Sequence, residues 1–147
     1  MSYPAAGIRF TAPRSWTVVP EPPPAVTVLA SGGAVVSVWR YPLSGRPPAI
    51  GRQLVAAERS LVAAVRAGDR SIELLGSRRL SVDGSPAIEV DAIEQVDGLA
   101  RRSRATHVFA AHSEIVVDEY APAGVFRAVD AAVFAPLDRS LVISRGA

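Results

Sequence analysis

The chain predicts an α+β fold: a mostly antiparallel sheet of about six to eight strands and two main helices, at about 48–67 and about 123–142. Three observations lead there. β-branched runs fill most of 7–41 and 72–121, apolar residues recur at helical spacing in only two stretches, and turn-forming Gly pairs separate the strands.

Residues 7–19 read as two short strands hinged at Ala12-Pro13-Arg14, with Trp16 driven back toward the core. Pro22-Pro23-Pro24 has no backbone N–H to donate and forms a loop. Val26 to Ala30 and Ala34 to Tyr41 make a hairpin across Ser31-Gly32-Gly33. On its second strand Val36 and Val38 point one way, and Val35, Ser37, Trp39 and Tyr41 the other. Pro47 and Pro48 sit where the first helix begins. Its apolar stripe is Ile50, Leu54, Ala57, Leu61, Ala64 and Val65, and Gly68 follows as a C-cap. Arg52, Glu58, Arg59 and Arg66 fall mostly outside that stripe. Ile72 to Leu75, Arg79 to Asp83, Ala87 to Val96, Leu99 to Ala111 and Glu114 to Ala121 read as successive strands. Asp83-Gly84 and Asp97-Gly98 supply the positive φ that tight hairpins need. Phe126, Val129, Val133, Leu137 and Leu141 form the stripe of the second helix, which Pro136 should kink or divide.

Composition narrows the function classes. The 147 residues suit one domain over 1–147, and 49% hydrophobic with 20% charged residues argues against wholesale disorder. All sixteen basic residues are arginine, which with abundant Ala, Val, Pro and Gly reads as a GC-rich bacterial coding bias. The pI near 9.7 accompanies a net charge of only +2, too slight and too spread a surplus for a nucleic-acid face. No cysteine is present, so disulfides, thiolate metal sites and a cysteine nucleophile are excluded. Arg9 and Arg14 interrupt any leader-like apolar run, and no run approaches the ~20 residues of a membrane span. The expectation is a soluble cytoplasmic protein.

No set of residues converges on catalysis. His107 and His112 are five apart, so on a regular strand they face opposite sides and do not share a metal. Ser85 lies between Gly84 and Pro86, which is hairpin geometry rather than a nucleophile elbow. Asp118 and Glu119 diverge across their strand. Glu89 and Asp91 share a face about 7 Å apart, a spacing open to acid/base work. The competing expectation pairs them with Arg102 and Arg104 on the neighbouring strand. Arg101-Arg102-Ser103-Arg104, the densest basic patch, suits either that pairing or an acidic partner.

Short local words carry a family resemblance. Phe10-Thr11-Ala12-Pro13-Arg14-Ser15-Trp16, the turn Val82-Asp83-Gly84-Ser85-Pro86-Ala87-Ile88-Glu89 and the closing Val133-Phe134-Ala135-Pro136-Leu137-Asp138-Arg139-Ser140-Leu141 resemble the PsbP-like superfamily, with its DcrB-like, LpqN-like and Eag-type chaperone relatives. The resemblance covers nearly the whole chain. It implies an α/β/α sandwich and a binding role rather than catalysis, with no cofactor.

The expected function is therefore a non-enzymatic protein-binding module, a chaperone or adaptor for a secreted or membrane-destined client. Expected partners are a protein client or complex subunits, with a homodimer left open and no nucleic acid. Val36, Val38, Ile88, Val90, Val108, Ile115 and Val117 are expected to line a broad apolar sheet surface. Trp39, Tyr41, Arg101, Arg102 and Arg104 are the candidate partner-binding residues. The alternative is a small-molecule-binding protein or a cryptic enzyme with a pocket between sheet and helices, at which Glu89, Asp91 or His107 would converge.

Overall fold

The computed structural model describes residues 1–49, 51–68, 71–110 and 112–144. Strands β1 (Ser2–Tyr3) and β2 (Ile8–Arg9) join β10 (Val142–Ile143), from the far end of the chain, in a small three-stranded sheet. The main sheet holds seven strands: β3 (Thr17–Val19), β4 (Ala25–Ser31), β5 (Ala34–Pro42), β6 (Glu73–Val82), β7 (Ser85–Val96), β8 (Leu99–Ala110) and β9 (Ser113–Pro122). Their order is β3-β4-β5-β9-β8-β7-β6 and every neighbouring pair is antiparallel.

Tight turns fix the register. Gly32 and Gly33, Asp83 and Gly84, and Asp97 and Gly98 all take positive φ. That paired conformation matches the twist of the flanking strands, and aspartate is among the few side chains that tolerate it.

Helix α1 (Gly51–Gly68) covers one sheet face. Leu54, Ala57, Leu61 and Val65 pack with Leu43 and Leu74 over Ile88, Val90 and Phe109. The opposite face carries the larger core. There α2 (Phe126–Val129), a π turn (Asp130–Phe134) and α3 (Ala135–Ser140) set Phe126, Phe134 and Leu137 on Val36, Val38, Val108, Ile115 and Val117. Ile8, Phe10 and Ile143 of the small sheet enter the same core, and Trp16 meets Phe134 edge-on at 6.3 Å. Layers of helix, sheet and helix result.

Several expectations need correction. The first helix begins at Gly51, after Pro47 and Pro48 rather than on them. Ala64 is exposed instead of joining the stripe, while Ile50 and Ala111 lie outside the described residues. Ile72 to Leu75 and Arg79 to Asp83 are not separate strands. Pairing with the long β7 draws Glu73–Val82 into one strand, and a bulge between Leu74 and Gly76 absorbs the irregularity. The two strands within 7–19 enter different sheets. The second helix runs only from Phe126 to Ser140; it is divided, as Pro136 led one to expect, with a π turn separating α2 from α3 and Pro136 second in α3. The expected apolar sheet surface is closed. None of Val36, Val38, Ile88, Val90, Val108, Ile115 and Val117 is more than 4% exposed, because helices and the small sheet cover both faces.

Candidate functional site

Alternation along β8 sends Arg102 and Arg104 toward the C-terminal helices and Arg101 to the α1 side. Arg101 Nε bonds Glu94 Oε1 at 2.8 Å, and its guanidinium lies 4.0 Å over the Tyr120 ring. Arg102 donates to Asp91 Oδ1 at 3.1 Å and sits over Phe126. Arg104 is the hub. Its side chain is 11% exposed and reaches Asp130 at 2.8 Å, Glu119 at 3.4 Å, Asp138 at 3.5 Å and Asp91 at 4.0 Å. The expected pairing of Asp91 with Arg102 and Arg104 is present, since Asp91 stands opposite Arg104 in the ladder. Glu89 differs: its register partner across β6 is Arg78, which grips it in two bonds of 2.7 and 2.9 Å.

Asp130 and Asp138 reach Arg104 together because of the π turn. Eight residues on a regular α-helix leave two side chains ~80° apart, and the extra residue of a π turn cuts this to ~20°. Glu119 is 1% exposed, and its Oε1 has no hydrogen-bond partner. Burial, and then the charge of Asp138, push its carboxyl up to about 9 against the pull of Arg104. Burial likewise raises Asp138 to about 6. At neutral pH Glu119 therefore keeps its proton, and Arg104 and Arg102 face the three remaining acids.

A groove of about 580 Å³ opens over this cluster. Glu89 and Asp91 both line it, as do Arg78, Arg102, Arg104 and Arg139. His107 does not: it lies on the α1 face and its Nδ1 is 2.7 Å from Glu114 Oε1. Trp39 shares that face, half-buried and bonded to Asp118. Burial raises the Asp118 carboxyl against the opposing pull of His107 and that bond. Tyr41, at the end of β5, is 39% exposed. Arg78, Glu119, Asp130 and Asp138 were not among the candidates from sequence. Glu119 alternates onto the face of Arg104, a signal present in the strand pattern, but nothing local announces the π turn.

The sheet ends at β6, and among the described residues no strand pairs with its outer edge. Ser77 and Arg79 face α1 and bind the two oxygens of Glu58 at 2.7 and 3.0 Å. Two concavities run between α1 and this edge. One of about 590 Å³ holds Arg52, Val55, Ala56, Arg59 and Arg79, and one of about 350 Å³ holds Glu58, Arg59, Val62, Ala63, Arg66 and Ser77. Arg59 lines both, so the two lie side by side along the helix.

No family model matches the chain, and no curated protein matches it. Solved structures do. The cyanobacterial PsbP (CyanoP) of Synechocystis sp. PCC 6803 superposes with a TM-score of 0.74 at 15% identity, over 98% of this chain and 91% of that one. LpqN, involved in cell envelope biogenesis of Mycobacterium tuberculosis, gives 0.66 at 13% identity, over 93% and 83%. The Saccharomyces cerevisiae Ran-binding protein Mog1p gives 0.60 at 9% identity, over 95% and 91%. The chain thus has the PsbP-like fold, as its local words implied. At these identities the likeness is one of fold. Among the described residues no helix is long and apolar enough to cross a membrane, and no three His, Asp or Glu side chains are grouped to hold a metal ion.

Proposed function

We propose that the chain is a non-enzymatic protein-binding module, acting in the cytoplasm as a chaperone or adaptor for a secreted or membrane-destined client. One observation carries this reading: the open β6 edge, ten residues long with a groove on each side. An unpaired edge offers a row of backbone donors and acceptors that a second chain completes. The charged side chains of the groove over Arg104 support the same reading. Arg78 pairs with Glu89, Arg102 with Asp91, and Arg104 ties the sheet to the π turn and α3 through Asp130 and Asp138, so among the described residues these acids are held by arginines. The likeness to a Ran-binding protein is consistent with a protein partner.

The test is capture of the tagged protein with its partners, followed by hydrogen exchange on the purified complex. A stoichiometric protein partner that slows exchange of the amides of 73–82 is expected. A complex that leaves those amides unprotected removes the edge as the contact surface, and absence of any partner removes the reading itself.

The shared presence of Glu89 and Asp91 in the groove favours a second reading, a small-molecule site there. A thermal-shift screen of metabolites separates the two, since a ligand in that groove raises the melting temperature without any partner protein.

A further inference from the structure

Arg52, Arg59 and Arg66 stand seven residues apart on α1, which places them on one stripe of the helix. All three are exposed, and among the described residues none of them makes an ion pair. The same stripe lines the groove against β6, where Arg79 adds a fourth guanidinium. Among the described residues that line it, Glu58 is the single acid, and it is already bound to Arg79 and Ser77. Between the arginines the groove floor is Val55, Ala56, Val62 and Ala63.

We infer that the β6 edge accepts an extended acidic segment of a partner protein as an eighth strand, its acidic side chains set against the Arg52-Arg59-Arg66 stripe. This rests on the binding-module reading and names the chemistry of that partner. A strand added beside β6 lies about 4.8 Å away and turns alternate side chains to the two sheet faces. One set faces the α1 groove, where the arginine stripe lies; the other faces the opposite groove, whose acids are already held by arginines. The stripe spans ~21 Å along the helix, which six or seven extended residues cover. Backbone pairing supplies affinity, and the arginines choose the sign of the side chains. A second copy of this chain does not fit the edge, because edge-to-edge pairing sets one basic surface against another.

The test uses the full chain and two labelled synthetic peptides, one alternating glutamate with valine and threonine, the other with lysine in place of glutamate. Fluorescence anisotropy at low salt is expected to show the acidic peptide binding at least tenfold more tightly, and added salt to weaken it. Hydrogen exchange should show protection along 73–82. A triple variant R52E/R59E/R66E should lose at least tenfold in affinity while its melting temperature stays within a few degrees, since all three side chains are exposed and make no ion pair among the described residues. Equal binding of both peptides, full binding by the variant, or a preference for single-stranded DNA or anionic vesicles over the acidic peptide overturns the inference. If the variant captures the same protein partner as the parent, the inference falls while the binding-module reading stands. If no protein partner is captured yet the acidic peptide binds with the expected charge dependence, the reverse holds.

Discussion

Glu119 is the residue whose chemistry the tertiary structure changes most. Its carboxyl titrates near 9 in the folded chain against an ordinary 4.5, so the folded state holds a proton that the unfolded state releases between those values. Stability from this group is therefore present at acid pH and declines as pH rises through that window. Asp138, raised from 3.8 to about 6, acts with the same sign over a lower range. E119Q keeps the shape of the protonated acid and removes its titration. Thermal melts at pH 5, 7 and 9 should show the parent losing stability more steeply than the variant, with the two converging toward acid pH. Arg104→Ala acts oppositely in kind. It strips the partner from Glu119, Asp130 and Asp138 at once, while Asp91 keeps Arg102, and should cost about 3 kcal/mol, measured by urea unfolding. Gly7 is a third sensitive position. At φ 63 it turns the chain from the 3-10 turn Pro4–Ala6 into β2 while its carbonyl accepts from Ser144. Alanine there brings a Cβ 3.4 Å from Ser144 and should cost ~1–2 kcal/mol.

The divided C-terminal helix is the element on which the larger core depends. Its π turn sets Phe126 and Phe134, eight residues apart, 5.5 Å from each other, and Trp16 closes on Phe134 from outside. Phe134 has no solvent exposure, so Phe134→Ala should destabilise by ~3–5 kcal/mol in urea unfolding and loosen the packing of Trp16, visible in its fluorescence. The hairpins were legible because their turns are local: Asp83-Gly84 and Asp97-Gly98 need no distant contact to adopt positive φ. The continuity of β6 was not. Gly76-Ser77 carries the composition of a turn, and the pairing of Gly76 with Asp91 and Ser77 with Val90 in the ladder with β7 holds it extended. Propensity yields to the ladder there.

For the whole molecule, the arrangement of layers decides where a partner can dock. Both sheet faces are covered, which removes the broad apolar surface and leaves an edge. Hydrogen exchange of the free protein should follow this order, with amides of β8 and β9 at the centre of the sheet the slowest and the outward amides of β6 among the fastest of the main sheet. Equal protection of β6 and β9 would mean that the edge is already covered in solution.

The sequence by itself determined the fold class, the two hairpin turns, the helical stripe of α1 and the cross-strand meeting of Asp91 with Arg102 and Arg104. All follow from spacing along the chain, because alternation and helical period fix which side chains share a face. Only the tertiary structure decided that Glu89 goes to Arg78, that Asp130 and Asp138 converge on Arg104, that β1, β2 and β10 join the two ends of the chain, and that β6 is left at the edge beside three arginines that make no ion pair among the described residues. Those outcomes depend on strand order, on a π turn and on contacts between residues up to 137 positions apart. Long-range neighbours of that kind leave no local period in the chain, so packing alone selects them.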